Sequence, residues 1–189
     1  MLKDLILKNR SYRRFDEGKK IDRQELLELI DLARLSPSAA NKQPLKYFLS
    51  SEPETNKKIF NTLAWAAYLK DWKGPVDGER PVAYIIILGD KNIAENFSVD
   101  SGIAAQSILL GATEKGVGGC IFGSVAREKL RELLNIPSQY EILYALALGY
   151  PVEIVQIEKL DDSGDIKYWR DKNNIHHVPK RSLSDIVLS

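Results

Sequence analysis

The chain has 189 residues, 44% of them hydrophobic, with 27 basic against 26 acidic side chains and a formal net charge of +1. That length supports one domain with a substantial core, and the balanced charge, with no long Lys/Arg tract, disfavours a nucleic-acid partner. No apolar run approaches the roughly 20 residues that span a bilayer, the N-terminus is too charged for a signal peptide, and one cysteine allows no internal disulfide, so a cytoplasmic protein without a membrane partner is expected.

Residues 2–8 are predicted as a short helix. Arg10-Ser11-Tyr12-Arg13-Arg14-Phe15 follows, with three guanidinium groups and a hydroxyl in six residues. Arginine forks match phosphate oxygens and ring carbonyls, so an anionic ligand is expected there; a solvated basic face is the plainer alternative. Asp22 and Glu25 form a capping-box pattern ahead of Leu26, Leu27, Leu29, Ile30 and Ala33, predicting a helix that stops near Leu35. Pro37 pushes Ser36 out of the α conformation, so 36–44 should be an extended loop. A strand is expected over 45–51. A helix with Pro53 in its first turn is then expected to run to about Leu69. The Gly and Pro residues of 71–80 predict a loop.

The continuous apolar run 82–88 reads as a central strand buried on both faces. From Asp100 to about Lys115 the sequence is small or apolar around most of the helix circumference, which requires burial on more than one side, inside the domain or against a second subunit. Gly116, Gly118 and Gly119 end that helix and lead into a strand at 120–122. A helix at about 127–135 and an apolar strand at 142–148 come next. Beyond Pro151 the chain turns polar and periodicity fades, so residues 151–189 are expected as an extension that wraps another surface, with a last short helix at 183–188. No internal repeat appears, and residues 1–189 are read as one domain.

The Arg10-Ser11-x-Arg13 motif and, about thirty residues on, Ser36-Pro37-Ser38-Ala39-Ala40-Asn41-Lys42-Gln43-Pro44 together resemble the FMN-dependent nitroreductase family. The Gly-rich turn and strand 116–123 extends the resemblance over nearly the whole chain. It implies an α+β, three-layer fold, with a central mixed, mostly antiparallel sheet flanked by helices and a C-terminal extension wrapping the partner of a homodimer. It also implies FMN as cofactor, NADH or NADPH as hydride donor, and a small-molecule electron acceptor such as a nitro-aromatic or quinone. Hydride would enter and leave at flavin N5, so no catalytic side chain or metal is expected.

The same resemblance places Arg10 and Ser11 toward phosphate and ribityl, and Arg13 near the pyrimidine carbonyl. Lys180 and Arg181 bring phosphate contacts from the C-terminal end, and Phe122-Gly123 lies at the N5 edge. Pro37, Ser38 and Asn41 belong to a loop that reaches the flavin of the other subunit; for Gln43, loop support and flavin contact both stay open. Ala39 and Leu45 depart from the commonest family pattern, which has a second serine and an aromatic there. Arg14 is expected to point elsewhere. A dinucleotide fingerprint fails, because Ile121 stands where the third glycine is needed. Cys120 reads as a buried hydrophobe, and His176-His177 as no metal site. Trp65, Tyr68 and Trp72 are either core or the wall of a substrate pocket. Reductive dehalogenation, flavin fragmentation and non-catalytic flavin binding are the competing functions.

Overall fold

The computed structural model describes residues 1–188. Its centre is a four-stranded sheet in the order β1-β2-β4-β3, with β1 at Leu45–Ser50, β2 at Ala83–Asp90, β3 at Gly118–Phe122 and β4 at Tyr140–Gly149. All three strand pairs in it are antiparallel. Because side chains alternate along a strand, β2 feeds two cores. Ala83, Ile85 and Ile87 face α2 (Arg23–Leu35) and α4 (Ser98–Glu114), while Tyr84, Ile86 and Leu88 face Ile59 of α3 (Pro53–Phe60) and Leu130 of α5 (Arg127–Leu134). Every residue of β2 is buried, as its unbroken apolar run required.

The capping box at Asp22 and Glu25 is made, with each side chain accepting from the other's backbone N–H. α3 is shorter than its sequence suggested. It ends at Phe60 instead of near Leu69, because Thr62 turns its hydroxyl onto the Ile59 carbonyl and the chain then pairs with a distant segment. Leu63 bridges Val125, and the Ala64 N–H donates to Ser124.

α4 buries Ala104, Ala105, Ile108, Leu109 and Ala112. Val99, 60% exposed, and Gln106 lie on the side turned away from the sheet. α1 (Leu2–Lys8) packs on α4 and leaves Leu2 at 64% exposure. Among the described residues no helix is long and apolar enough to cross a membrane.

The stretch after Pro151 folds as a second, small sheet in the order β5-β7-β6, formed by Val155–Lys159, His176–Lys180 and Trp169–Arg170. Its β5–β7 pair is parallel. The expected terminal helix is one turn, α6, at Leu183–Ile186.

Candidate active site

Residues 10–15 run along the end of the central sheet as extended chain. Ser11 bridges Gly119 in parallel fashion, the Tyr12 N–H donates to the Gly119 carbonyl at 3.0 Å, and Phe15 bridges Pro151. Two glycines make this close approach possible: a Cβ at Gly118 would collide with Tyr12 and Pro151, and one at Gly149 would lie 2.7 Å from Phe15. Glu153, whose side chain is 1% exposed, fixes the strip from below. Its carboxylate accepts from the backbone N–H groups of Arg13 and Arg14 and, at 3.0 Å, from the Arg170 guanidinium. Arg14 turns away into a two-point pair with Glu79 at 2.7 and 2.5 Å, which raises the pKa of Arg14 and lowers that of Glu79.

That geometry leaves Arg10, Ser11 and Arg13 lining a cavity of about 220 Å³, bounded on its far side by His176 and Lys180 of the small sheet and by Tyr168, which immediately precedes β6. Arg10 is braced by the Asn9 and Ile6 carbonyls at 2.6 and 2.8 Å. Arg13 lies 4.9 Å over the Tyr168 ring and 3.3 Å from His176 Nε2. Burial, then the charge of Arg13, pushes the His176 pKa down to about 4, so the imidazole is neutral at pH 7. A guanidinium can only donate, so Nε2 must accept and Nδ1 must carry the proton. Nδ1 is buried and unpartnered among the described residues. Arg181 is exposed just beyond Lys180. Three cations around a small cavity, with a serine and backbone donors, are chemistry suited to a dianionic phosphate.

The second predicted group lies elsewhere in the chain. Pro37, Ser38 and Gln43 line a separate cavity of about 180 Å³ with Tyr47 and Asp100. Asn41 closes the 3₁₀ turn Ala39–Asn41, and the Gln43 amide donates to its backbone and side-chain oxygens at 3.2 Å each. No residue lines both cavities.

Phe122 is buried in the α3/α5 core and meets Trp65 edge-on at 4.6 Å. Next to it Gly123 is exposed, and a Cβ there would approach only Tyr144, at 3.8 Å. Trp65 is half-buried and packs between Phe60, Phe122 and Trp72 against the α3/α5 core. Tyr68 is 45% exposed and packs at a tilt against Tyr168, with ring centroids 4.9 Å apart, beside the Arg13 cavity. Trp72 lies beneath Arg170 at 4.8 Å. Cys120 is buried and free, and burial raises its thiol pKa.

The two adjacent histidines point apart. His177 sits between Glu158 at 2.6 Å and Asp171 at 3.4 Å and stacks flat on Trp169. Among the described residues no group of three or more possible ligands could hold a metal. Sequence reasoning missed Glu153, Tyr168 and Arg170 as parts of this site. The Tyr168-Trp169-Arg170 cluster was visible as a cluster, but nothing in its spacing says that it folds back on Arg13.

The model of the nitroreductase family matches residues 6–150. YodC of Bacillus subtilis strain 168, provisionally named an NAD(P)H nitroreductase, is 28% identical over 180 residues, covering 79% of this chain and 89% of that protein. Two Clostridium difficile structures share the fold. A nitroreductase family protein from strain 630 matches at TM-score 0.70 and 21% identity, over 100% of this chain and 96% of the other. An FMN-dependent nitroreductase from strain R20291 matches at TM-score 0.66 and 24% identity, over 89% and 98%. With its Arg10–Arg13 strip, its Ser38–Gln43 turn and a family match across most of its length, this chain belongs to the nitroreductase family.

Proposed function

We propose that the chain is an FMN-dependent oxidoreductase, a single domain with 151–189 as its extension. It takes hydride from NADH or NADPH and passes electrons to nitro-aromatics, quinones or similar small acceptors in a ping-pong cycle. The observation that carries this reading is the cavity framed by Arg10, Ser11, Arg13 and Lys180. Bound FMN supplies hydride chemistry at N5, so the chain needs placement and electrostatics and no nucleophile of its own. Arg10, Lys180 and Arg181 hold the phosphate, and Ser11 adds a donor. Arg13, steadied by His176 and Tyr168, directs positive charge to the pyrimidine edge. Gly123 gives the ring close access to the end of β3, and Tyr68 stands beside the open face.

The active unit is a homodimer in the cytoplasm. A cavity of about 220 Å³ is below the roughly 300–1,000 Å³ of complete ligand pockets, so one chain offers the phosphate end and little more. Pro37, Ser38, Asn41 and Gln43 complete the site from the partner. The exposed apolar residues Leu2, Leu35 and Val99 on α1, α2 and α4 support that pairing, as do Leu183 and Ile186 at the tail's end.

The test has two arms. Purified protein should be yellow, release FMN on heating, and bleach with NADH or NADPH under anaerobic conditions. Colour that persists under excess NAD(P)H marks a flavin carrier rather than an enzyme. Second, Arg13→Ala and Asn41→Ala chains, each inactive alone, should on co-expression form heterodimers that, once isolated, have half of wild-type activity, because one site of the mixed dimer carries neither lesion. Heterodimers isolated on two different affinity tags but still inactive would remove the shared site.

A further inference from the structure

A non-glycine residue at positive φ is uncommon, because its Cβ crowds the backbone. The turn after Ser38 holds three of them in four positions: Ala40 at 50°, Asn41 at 54° and Gln43 at 51°. Such backbone persists only where the surroundings over-determine it. Within the turn, Ser38 Oγ accepts from the Gln43 N–H at 2.9 Å, and the Ser38 carbonyl accepts from the Asn41 N–H at 2.9 Å. From outside, among the described residues, one hydrogen bond reaches residues 38–43: Asp100 Oδ1 accepts from the Ala39 N–H at 3.1 Å.

Packing does little to replace that bond. Asp100 lines the cavity beside Ser38 and Gln43 and also a second cavity, of about 610 Å³, beside Ala39, Ala40 and Lys42. The turn therefore arches over Asp100 with open space on both flanks. Asp100 itself is only 5% exposed. Burying a carboxylate is unfavourable unless hydrogen bonds compensate, and the phenol of neighbouring Tyr47 is pushed up to about 12, by burial and then by the charge of Asp100. An acid in the first turn of a helix also suits the helix dipole, but that role needs neither burial nor contact with residue 39.

Resting on the shared-site reading above, we infer that Asp100 is a positioning residue: through the Ala39 N–H it holds the strained turn in the shape that presents Ser38 and Asn41 to the flavin of the partner subunit. The probe is FMN titrated into apo-protein, alongside hydrogen exchange at the Ala39 amide without flavin. Asp100→Ala should weaken FMN binding on the order of tenfold, as expected for losing one hydrogen bond to a charged group, and should speed Ala39 exchange by a similar factor. Asp100→Asn keeps an oxygen acceptor but no charge, so it should recover part of both readouts, as a neutral hydrogen bond is weaker than a charged one; a dipole role would leave it as impaired as the alanine variant. Ala39→Pro removes the donor without touching α4, at a first-turn position that tolerates proline, and should reproduce the affinity loss even if Asp100→Ala does not fold.

Co-expression then assigns the site on which Asp100 acts. Asp100→Ala should regain a wild-type site when paired with Arg13→Ala and regain none when paired with Asn41→Ala. The opposite pattern overturns the inference, as does unchanged FMN affinity in both Asp100→Ala and Ala39→Pro. Failure of Arg13→Ala and Asn41→Ala to complement each other removes the partner-directed role by removing the shared site. Unchanged Ala39 exchange in Asp100→Ala removes the positioning role whatever the site's composition.

Discussion

The two sheets of this molecule are held by different forces. In the central sheet β2 is buried along its whole length and its two faces are apolar almost without exception. The small sheet, whose strand β7 has five residues against eight in β2, joins its strands by polar side chains: His177 of β7 between Glu158 and Asp171, Trp169 of β6 stacked on His177, and Arg170 of β6 on Glu153. Apolar burial is non-directional and scales with area, so it fixes layers. Charged hydrogen bonds are directional and fix one geometry, which is what the Arg13 cavity needs from the wall that His176 and Tyr168 build. The frame and the wall of the candidate site should therefore fail separately.

The largest effect is expected in the frame. Ile85 is fully buried among the α2 and α4 side chains, so Ile85→Ala should destabilise the whole domain by about 2–5 kcal/mol. Chemical denaturation followed by circular dichroism checks this. A loss below about 1 kcal/mol would mean that the core repacks and that apolar burial does not set the central sheet apart from the small one.

Next comes the joint between the two regions. Glu153→Gln removes the charge that holds Arg170 and the carboxylate that accepts from the Arg13 and Arg14 backbones. Breaking a buried pair from one side leaves an uncompensated charge, an effect of about 3 kcal/mol where desolvation is complete. With Arg170's side chain 13% exposed, a somewhat smaller loss is expected here, and it should be local. Limited proteolysis should cut the 151–180 segment in the variant while the central sheet's unfolding transition moves less. A global loss equal to that of Ile85→Ala would show that the sheets unfold together.

This contrast also explains what the sequence made legible. Burial on both faces leaves unbroken apolar runs, so β2 and β4 could be read to within two residues at their ends, and α2 could be read from its capping box and from the proline that follows it. The Arg10–Arg13 and Ser38–Gln43 segments stood out through their resemblance to the family's motifs, and the fold places them at two separate cavities of one chain. α3 was overextended because Leu63, Trp65 and Ala66 continue an apolar pattern, and sequence gave no sign that 62–64 would pair with 124–126. The tail's wall was hidden because Glu153, Tyr168 and His176 meet Arg13 across about 140–163 positions, and polar contacts leave no period. Asp100 read as one acid opening an apolar helix; only the fold shows a turn above it.

The smallest effect is a pH dependence confined to the wall, and its sign follows from the two histidines. The His177 pKa is raised, first by its hydrogen bond to Glu158 and further by Asp171. A raised folded pKa gives stability that is complete below the unfolded value of about 6.5 and is lost as pH rises through the folded value. His176 runs the other way. Facing Arg13, Arg170 and the Tyr168 ring, it stays neutral in the folded chain down to about pH 4, so between there and 6.5 the unfolded state binds the extra proton and stability falls as pH falls. The Asp171 pKa is lowered by the Ile175 N–H, then by His177 and Asn173. Its contribution is present above the unfolded carboxylate range and fades only under more acidic conditions. Protection of β5 and β7 amides, corrected for intrinsic exchange, should therefore peak near pH 6.5 and decline on both sides, while β2 amides vary less. His177→Gln should flatten the alkaline limb and spare the acidic one. If the alkaline limb survives that substitution, the Glu158–His177–Asp171 cluster does not hold the wall, and the strands β5, β6 and β7 must owe their order to burial after all.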